Sequence, residues 1–118
     1  AARRSIAEIY DRGLAGCALA LPQAAPWAEA VYHLYVVRCS RREHLAAYLK
    51  ANGIGTAIHY PAPVHMQPAY TNCICAPHGL PHTEAAAAEI LSLPMFPQLD
   101  RTSVAFVVET ICRWQAEP

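Results

Sequence analysis

The stretch from Gly53 to Tyr70, Gly-Ile-Gly-Thr-Ala-Ile-His-Tyr-Pro-Ala-Pro-Val-His-Met-Gln-Pro-Ala-Tyr, sets the strictest limit on how this chain folds. Pro61, Pro63 and Pro68 each remove a backbone donor and push the preceding residue towards extended conformations, so neither a helix nor a central strand continues through them. Before the prolines, the pattern is that of a strand, Gly55 to Tyr60. It places Thr56, Ile58 and Tyr60 on one side and Ala57 and His59 on the other. After them comes a stiff loop that presents His59, Tyr60, His65 and Tyr70 with little ordering entropy left to lose.

Upstream, Ile6, Ile9, Tyr10 and Leu14 recur at helical spacing, and Gly13 or Gly16 offers a stop. This first helix reads as the tail of a longer helix, and a chain that opens on Ala1 already in a helical pattern reads as an excised fragment. Pro22 and Pro26 mark a connector. Val31 to Cys39 is then a β-branched and aromatic run, apolar on both faces and therefore central in its sheet. Ser40 with Glu43 forms a capping box, Leu45, Tyr48 and Leu49 an apolar stripe, and Asn52-Gly53 a left-handed stop.

Breakers from Tyr70 to His82 predict an exposed loop, followed by an alanine-rich helix over Thr83 to Leu91. Leu91 to Met95 is a short strand that Pro94 confines to an edge. Val104, Val107, Val108 and Ile111 line a last helix that Asp100 or Thr102 caps. The expected architecture is α+β: a two-layer sandwich with a small three-stranded sheet and helices mainly on one face. His59 then points to the opposite face, which needs a cover.

Composition narrows the function. The chain has 118 residues, and only 15% are charged, against roughly 25% in an average soluble domain. A single small domain with so few charges leaves an apolar face for something else to cover. Zero net charge argues against nucleic acid or an anionic membrane as partner. No run reaches the roughly 20 apolar residues of a membrane helix, so no membrane partner is expected and the cytoplasm is the default location. Cys17, Cys39, Cys73, Cys75 and Cys112 lack a disulfide rhythm and read as reduced thiols, mostly buried.

With Gly-Ile-x-x-x-x-His-Tyr-Pro-x-Pro-x-His at 53–65, Tyr70, Leu-Ser-Leu-Pro-Met-Phe-Pro-x-Leu at 91–99 and Tyr-His-Leu-Tyr-Val-Val-Arg at 32–38, the chain resembles the C-terminal small domain of DegT/DnrJ/StrS-type sugar aminotransferases. The resemblance spans essentially all of it. It implies one small domain of the aspartate aminotransferase fold, 1–118, with 1–16 as the end of an interdomain helix and the large cofactor domain absent. It implies a homodimeric, pyridoxal-phosphate-dependent parent that moves an amino group from an amino acid, typically glutamate, to a keto sugar nucleotide. This fragment then holds no cofactor and no catalytic residue, and closes over the substrate.

The residues agree with that limit. Schiff-base chemistry needs a lysine in a pocket beside the cofactor. The sole lysine, Lys50, sits where a cation complements the end of the second helix. The resemblance implies that His59, Tyr60 and His65 are substrate-binding, through phosphate donation or stacking; the alternative is that His59 only anchors its loop. Tyr70, Met95 and Phe96 read as packing, and Arg38 as a solvated strand end or an anion partner. The sequence departs from the family at 72–82, where Cys73, Cys75, His78 and His82 form a tight set of soft ligands, read as a loop with reduced thiols rather than a metal site. Two other readings stay open: a stand-alone ligand-binding or regulatory module, and a family member that lacks the cofactor lysine.

Overall fold

The computed structural model describes residues 1–70 and 78–116, as four helices and two strands: α1 (Ala2–Leu14), β1 (Tyr35–Arg38), α2 (Arg42–Ala51), α3 (Pro81–Glu89), β2 (Ile90–Leu93) and α4 (Arg101–Ala116). The helical spacing of Ile6, Tyr10 and Leu14 turns all three into the core, where α1 lies along α4. Gly13 makes that approach possible. A Cβ there would stand 2.6 Å from Val108 Cγ1.

On α4, Val104, Val107, Thr110, Ile111 and Trp114 are buried. Asp100 caps the helix as the sequence predicts, accepting from the Ser103 N–H at 2.9 Å and the Ser103 hydroxyl at 2.7 Å. The Trp114 indole donates to His44 Nδ1 at 2.6 Å, and the Arg41 guanidinium lies 4.6 Å from its ring centre, so α2 is pinned to α4 by one side chain.

The start of α2 corrects the capping-box expectation. Arg41 holds the N-cap position with no side-chain bond, one residue later than a Ser40–Glu43 box requires. Glu43 instead pairs with Arg42 at 2.7 Å, and Arg42 also donates to the Ala87 carbonyl at 2.6 Å, tying α2 to the end of α3. The other end follows the sequence. Gly53 takes φ 77°, a conformation glycine adopts without a Cβ penalty.

The expected three-stranded sheet is a two-stranded antiparallel pair, in register from Tyr35 opposite Leu93 to Arg38 opposite Ile90. The third segment meets β2 at one point only, where Ala57 and Ser92 exchange N–H···O bonds of 3.3 and 2.8 Å. The left-handed turn at Gly53 comes just before that point and Pro61 soon after it, so no ladder propagates. On the far side of β1, Ala20 makes a similar single bridge to Arg38. β1 is shorter than the apolar run suggests because Tyr32 turns the chain at φ 49°.

Alternation divides the sheet into two faces. Tyr35, Val37, Leu91 and Leu93 point into the core with Leu45, Leu49, Val104 and Ile111. The Tyr35 and Tyr10 rings lie 4.8 Å apart. Tyr35 donates to Asp11 Oδ1 at 2.6 Å and Tyr10 to the Pro94 carbonyl at 2.9 Å. Burial keeps both phenols protonated far above their ordinary range, with Asp11 adding to the effect at Tyr35. The opposite face carries Val36 and Ser92, and towards it the Gly53–Tyr70 stretch returns.

Candidate functional site

The site is assembled on that opposite face by Ser92. Its buried position between the inward-facing Leu91 and Leu93 sends its side chain outward. There, Oγ lies 2.8 Å from His59 Nδ1 while its backbone holds Ala57. One residue therefore fixes both the course of the incoming chain and the orientation of the imidazole. With Nδ1 engaged, Nε2 is the free edge of the ring among the described residues. The peptide between His59 and Tyr60 is cis.

Tyr60 stands edge-on to His59, ring centres 5.6 Å apart at 82°, and is 73% exposed. Beyond it, single 3-10 turns at Val64–Met66 and Pro68–Tyr70 stiffen the loop. They are closed by Met66 N–H to the Pro63 carbonyl and Tyr70 N–H to the Gln67 carbonyl, both 2.9 Å.

His65 differs from its two neighbours in the motif. Its Nε2 lies 3.0 Å from Glu84 Oε1, and its side chain is only 11% exposed. Glu84 Oε1 also accepts the Leu80 N–H at 3.0 Å. The Leu80 amide first, and then His65, hold the Glu84 carboxyl below its usual range. His65 thus latches the loop to α3, whereas His59 and Tyr60 face outward.

Two grooves flank the His59–Tyr60 pair. One of about 280 Å³ is lined by His59, Thr56, Ser92, Leu34 and Met95. The other, about 510 Å³, runs between the loop and α3 past Tyr60, Val64, Gln67, His82 and Ile90. Hydrogen-bonding edges and flat apolar surfaces at these walls suit binding. No activated nucleophile stands among the described residues of either groove, and Lys50 lies exposed in the last turn of α2.

The remaining expectations divide. Arg38 is engaged with Glu89, Nε at 3.0 Å and Nη2 at 2.8 Å, rather than presented to an outside anion. Met95 packs in the core, but Phe96 and Tyr70 are exposed. The soft-ligand loop lies mostly outside the described residues, since Cys73 and Cys75 fall in 71–77; His78 and His82 are exposed. Among the described residues no cluster of three or more His, Cys, Asp or Glu exists that could hold a metal ion, and no helix is long and apolar enough to cross a membrane. Sequence reasoning missed Ser92 and Glu84. The Leu-Ser-Leu alternation carries the signal for the first; the second pairs across 19 positions with no local trace.

Residues 1–112 match the DegT/DnrJ/EryC1/StrS aminotransferase family. The chain is 40% identical over 112 residues to the erythromycin biosynthesis sensory transduction protein EryC1 of Saccharopolyspora erythraea, covering 94% of this chain and 31% of that protein. It is 41% identical over 113 residues to the dTDP-3-amino-3,4,6-trideoxy-alpha-D-glucose transaminase of Streptomyces venezuelae, covering 95% and 30%. Its fold superimposes with a TM-score of 0.92 and 41% identity on S. venezuelae DesV, solved in complex with a ketimine intermediate, over 99% of this chain and 32% of that one. The chain therefore spans under a third of the length of the proteins it matches.

Proposed function

This chain belongs to the DegT/DnrJ/EryC1/StrS aminotransferase family, and from that premise we propose that the full-length protein transfers an amino group from an amino acid, typically glutamate, to a keto sugar carried on a nucleotide. The chain is its C-terminal small domain, with residues 1–16 ending an interdomain helix. It supplies substrate-closing and dimer surfaces in a cytoplasmic homodimer. The observation that carries the reading is the outward His59–Tyr60 edge, with His59 held by Ser92, in a fold that matches S. venezuelae DesV along nearly the whole length of this chain.

Pyridoxal phosphate would supply the electron sink for moving the amino group, and its seat is assigned to the large domain. The one lysine lies exposed in the last turn of α2, the resemblance puts the Schiff-base lysine in the large domain, and no step of the chemistry is assigned to this chain. What the chain does is bind. His59 Nε2 donates to a phosphate or sugar oxygen, and Tyr60 offers a flat face and a hydroxyl beside it. His65 contributes by keeping the loop in place.

The name of the EryC1 relative, a sensory transduction protein, favours one second reading, a regulator without the cofactor lysine. One assay separates the two. Full-length protein incubated with glutamate and a 3-keto or 4-keto nucleotide sugar should release 2-oxoglutarate and an amino sugar nucleotide in equal amounts, and absorb as a bound aldehyde cofactor does. Absence of both, with the nucleotide sugar still bound, would establish the regulator instead.

A further inference from the structure

Cys17 and Cys112 lie 95 positions apart in sequence, yet their sulfurs are 3.5 Å apart. Cys17 stands in the turn that ends α1, where its N–H donates to the Leu14 carbonyl at 2.9 Å. Cys112 stands on α4, its sulfur 3.8 Å from the Gly13 carbonyl. Two further contacts fix the approach. Gly13 leaves room for Val108, and the Ala18 N–H donates to Gln115 Oε1 at 2.6 Å. A disulfide needs the sulfurs at about 2.05 Å, so closure asks for a movement of about 1.5 Å, within reach of side-chain rotation.

The geometry points to Cys17 and Cys112 as a thiol-oxidation site, a dithiol that closes to an intramolecular disulfide with a low-molecular-weight disulfide, RSSR, as co-substrate. Cys112 is exposed and Cys17 half-buried, so the order of attack follows. The Cys112 thiolate attacks one sulfur of RSSR, forms the mixed disulfide and releases RS⁻. The Cys17 thiolate then attacks Cys112 Sγ, the protein disulfide forms, and the second RS⁻ leaves. The two protein thiols give up two protons and two electrons, and RSSR becomes two RSH. Burial, with the neighbouring Cys112, pushes the Cys17 thiol up to about 11, and the thiolate is the nucleophile. The product staples the exit of α1 to α4. Cys39 is buried and takes no part.

The test uses the full-length protein in glutathione buffers of increasing oxidised fraction, quenched with acid, alkylated, digested and mapped by mass spectrometry. A peptide pair joining Cys17 to Cys112, lighter by two hydrogens and lost on reduction, should grow with the oxidised fraction. Gels without reductant should show no band beyond those of the reduced protein. In Cys17→Ser, Cys112 should instead accumulate the glutathione adduct. The same oxidation in denaturant should scramble the pairing, which ties the link to the fold and does not depend on any variant folding. A stable glutathione adduct on wild-type Cys112, a link from Cys112 to Cys73 or Cys75, or a new cross-linked dimer would each overturn the proposal.

Discussion

The core between the sheet and α1, α2 and α4 and the loop on the sheet's other face are built from similar residues used in opposite ways. Tyr10 and Tyr35 are 0% exposed, with their rings 4.8 Å apart and tilted at 36° and each hydroxyl donating a hydrogen bond, whereas Tyr60 is 73% exposed and Met66 59%. The core is held by burial, which is non-directional and large. The loop is held by three prolines and two polar latches, His59 on Ser92 and His65 on Glu84. Its apolar atoms remain available. A region that is stiff without burying its own aromatics is ordered for a contact outside itself.

This contrast breaks most sharply at the centre of the core. Leu45→Ala should cost about 3 kcal/mol of stability, since buried leucine truncations leave a cavity as well as losing transfer energy. Tyr60→Ala, a larger deletion in atoms, should cost under about 0.5 kcal/mol because the site is exposed. Thermal unfolding of the full-length protein compares the two directly. Equal losses would mean that the loop is part of the core.

Gly13→Ala probes the same helix pair from the other side. The new methyl overlaps Val108, and overpacking of this kind costs about 1–3 kcal/mol. Adding Val108→Ala should recover most of it. No recovery would place the strain elsewhere.

Ser92→Ala sharpens the loop side. It leaves the Ala57 bridge in place and removes only the His59 anchor, at about 1 kcal/mol. Unfolding should therefore shift slightly, while substrate affinity falls more than stability does. A large loss of stability with unchanged affinity would assign His59 to loop anchoring alone.

These elements also mark how far the sequence could be read. α1, α2 and α4 announce themselves through apolar periodicity, because burial on one helical face leaves a local record. The outward direction of His59 is equally visible, as two-residue alternation needs no knowledge of the partner. The single-bridge third strand was harder, since pairing depends on how the chain leaves Gly53 and enters Pro61. The capping box misled by one residue because the helix frame is set by Leu45 and Leu49 reaching the core, which outweighs a cap worth about 1 kcal/mol. The His65–Glu84 latch joins two segments whose proximity only the finished fold creates.

The smallest expected effect lies at that latch. The Glu84 carboxyl sits below its usual range in the fold, so its contribution is present above the ordinary carboxylate pKa and disappears as pH falls through the lowered value. The Leu80 amide resonance, whose N–H donates to Glu84 Oε1, should keep its bonded position until the pH falls below the ordinary carboxylate range, and move only then. In Glu84→Gln that acid transition should vanish. A transition centred at the ordinary carboxylate pKa would show that the latch does not hold.

The central claim is that the loop's ordered edge serves the nucleotide sugar, and His59→Ala in the full-length enzyme tests it most directly. A donor to a charged group contributes about 1.5–3 kcal/mol. KM for the nucleotide sugar should thus rise at least about tenfold, with KM for the amino donor unchanged and the melting temperature nearly so. A melting temperature that falls steeply while both KM values stay at wild-type levels would contradict the account, and would make His59 a strut of the fold.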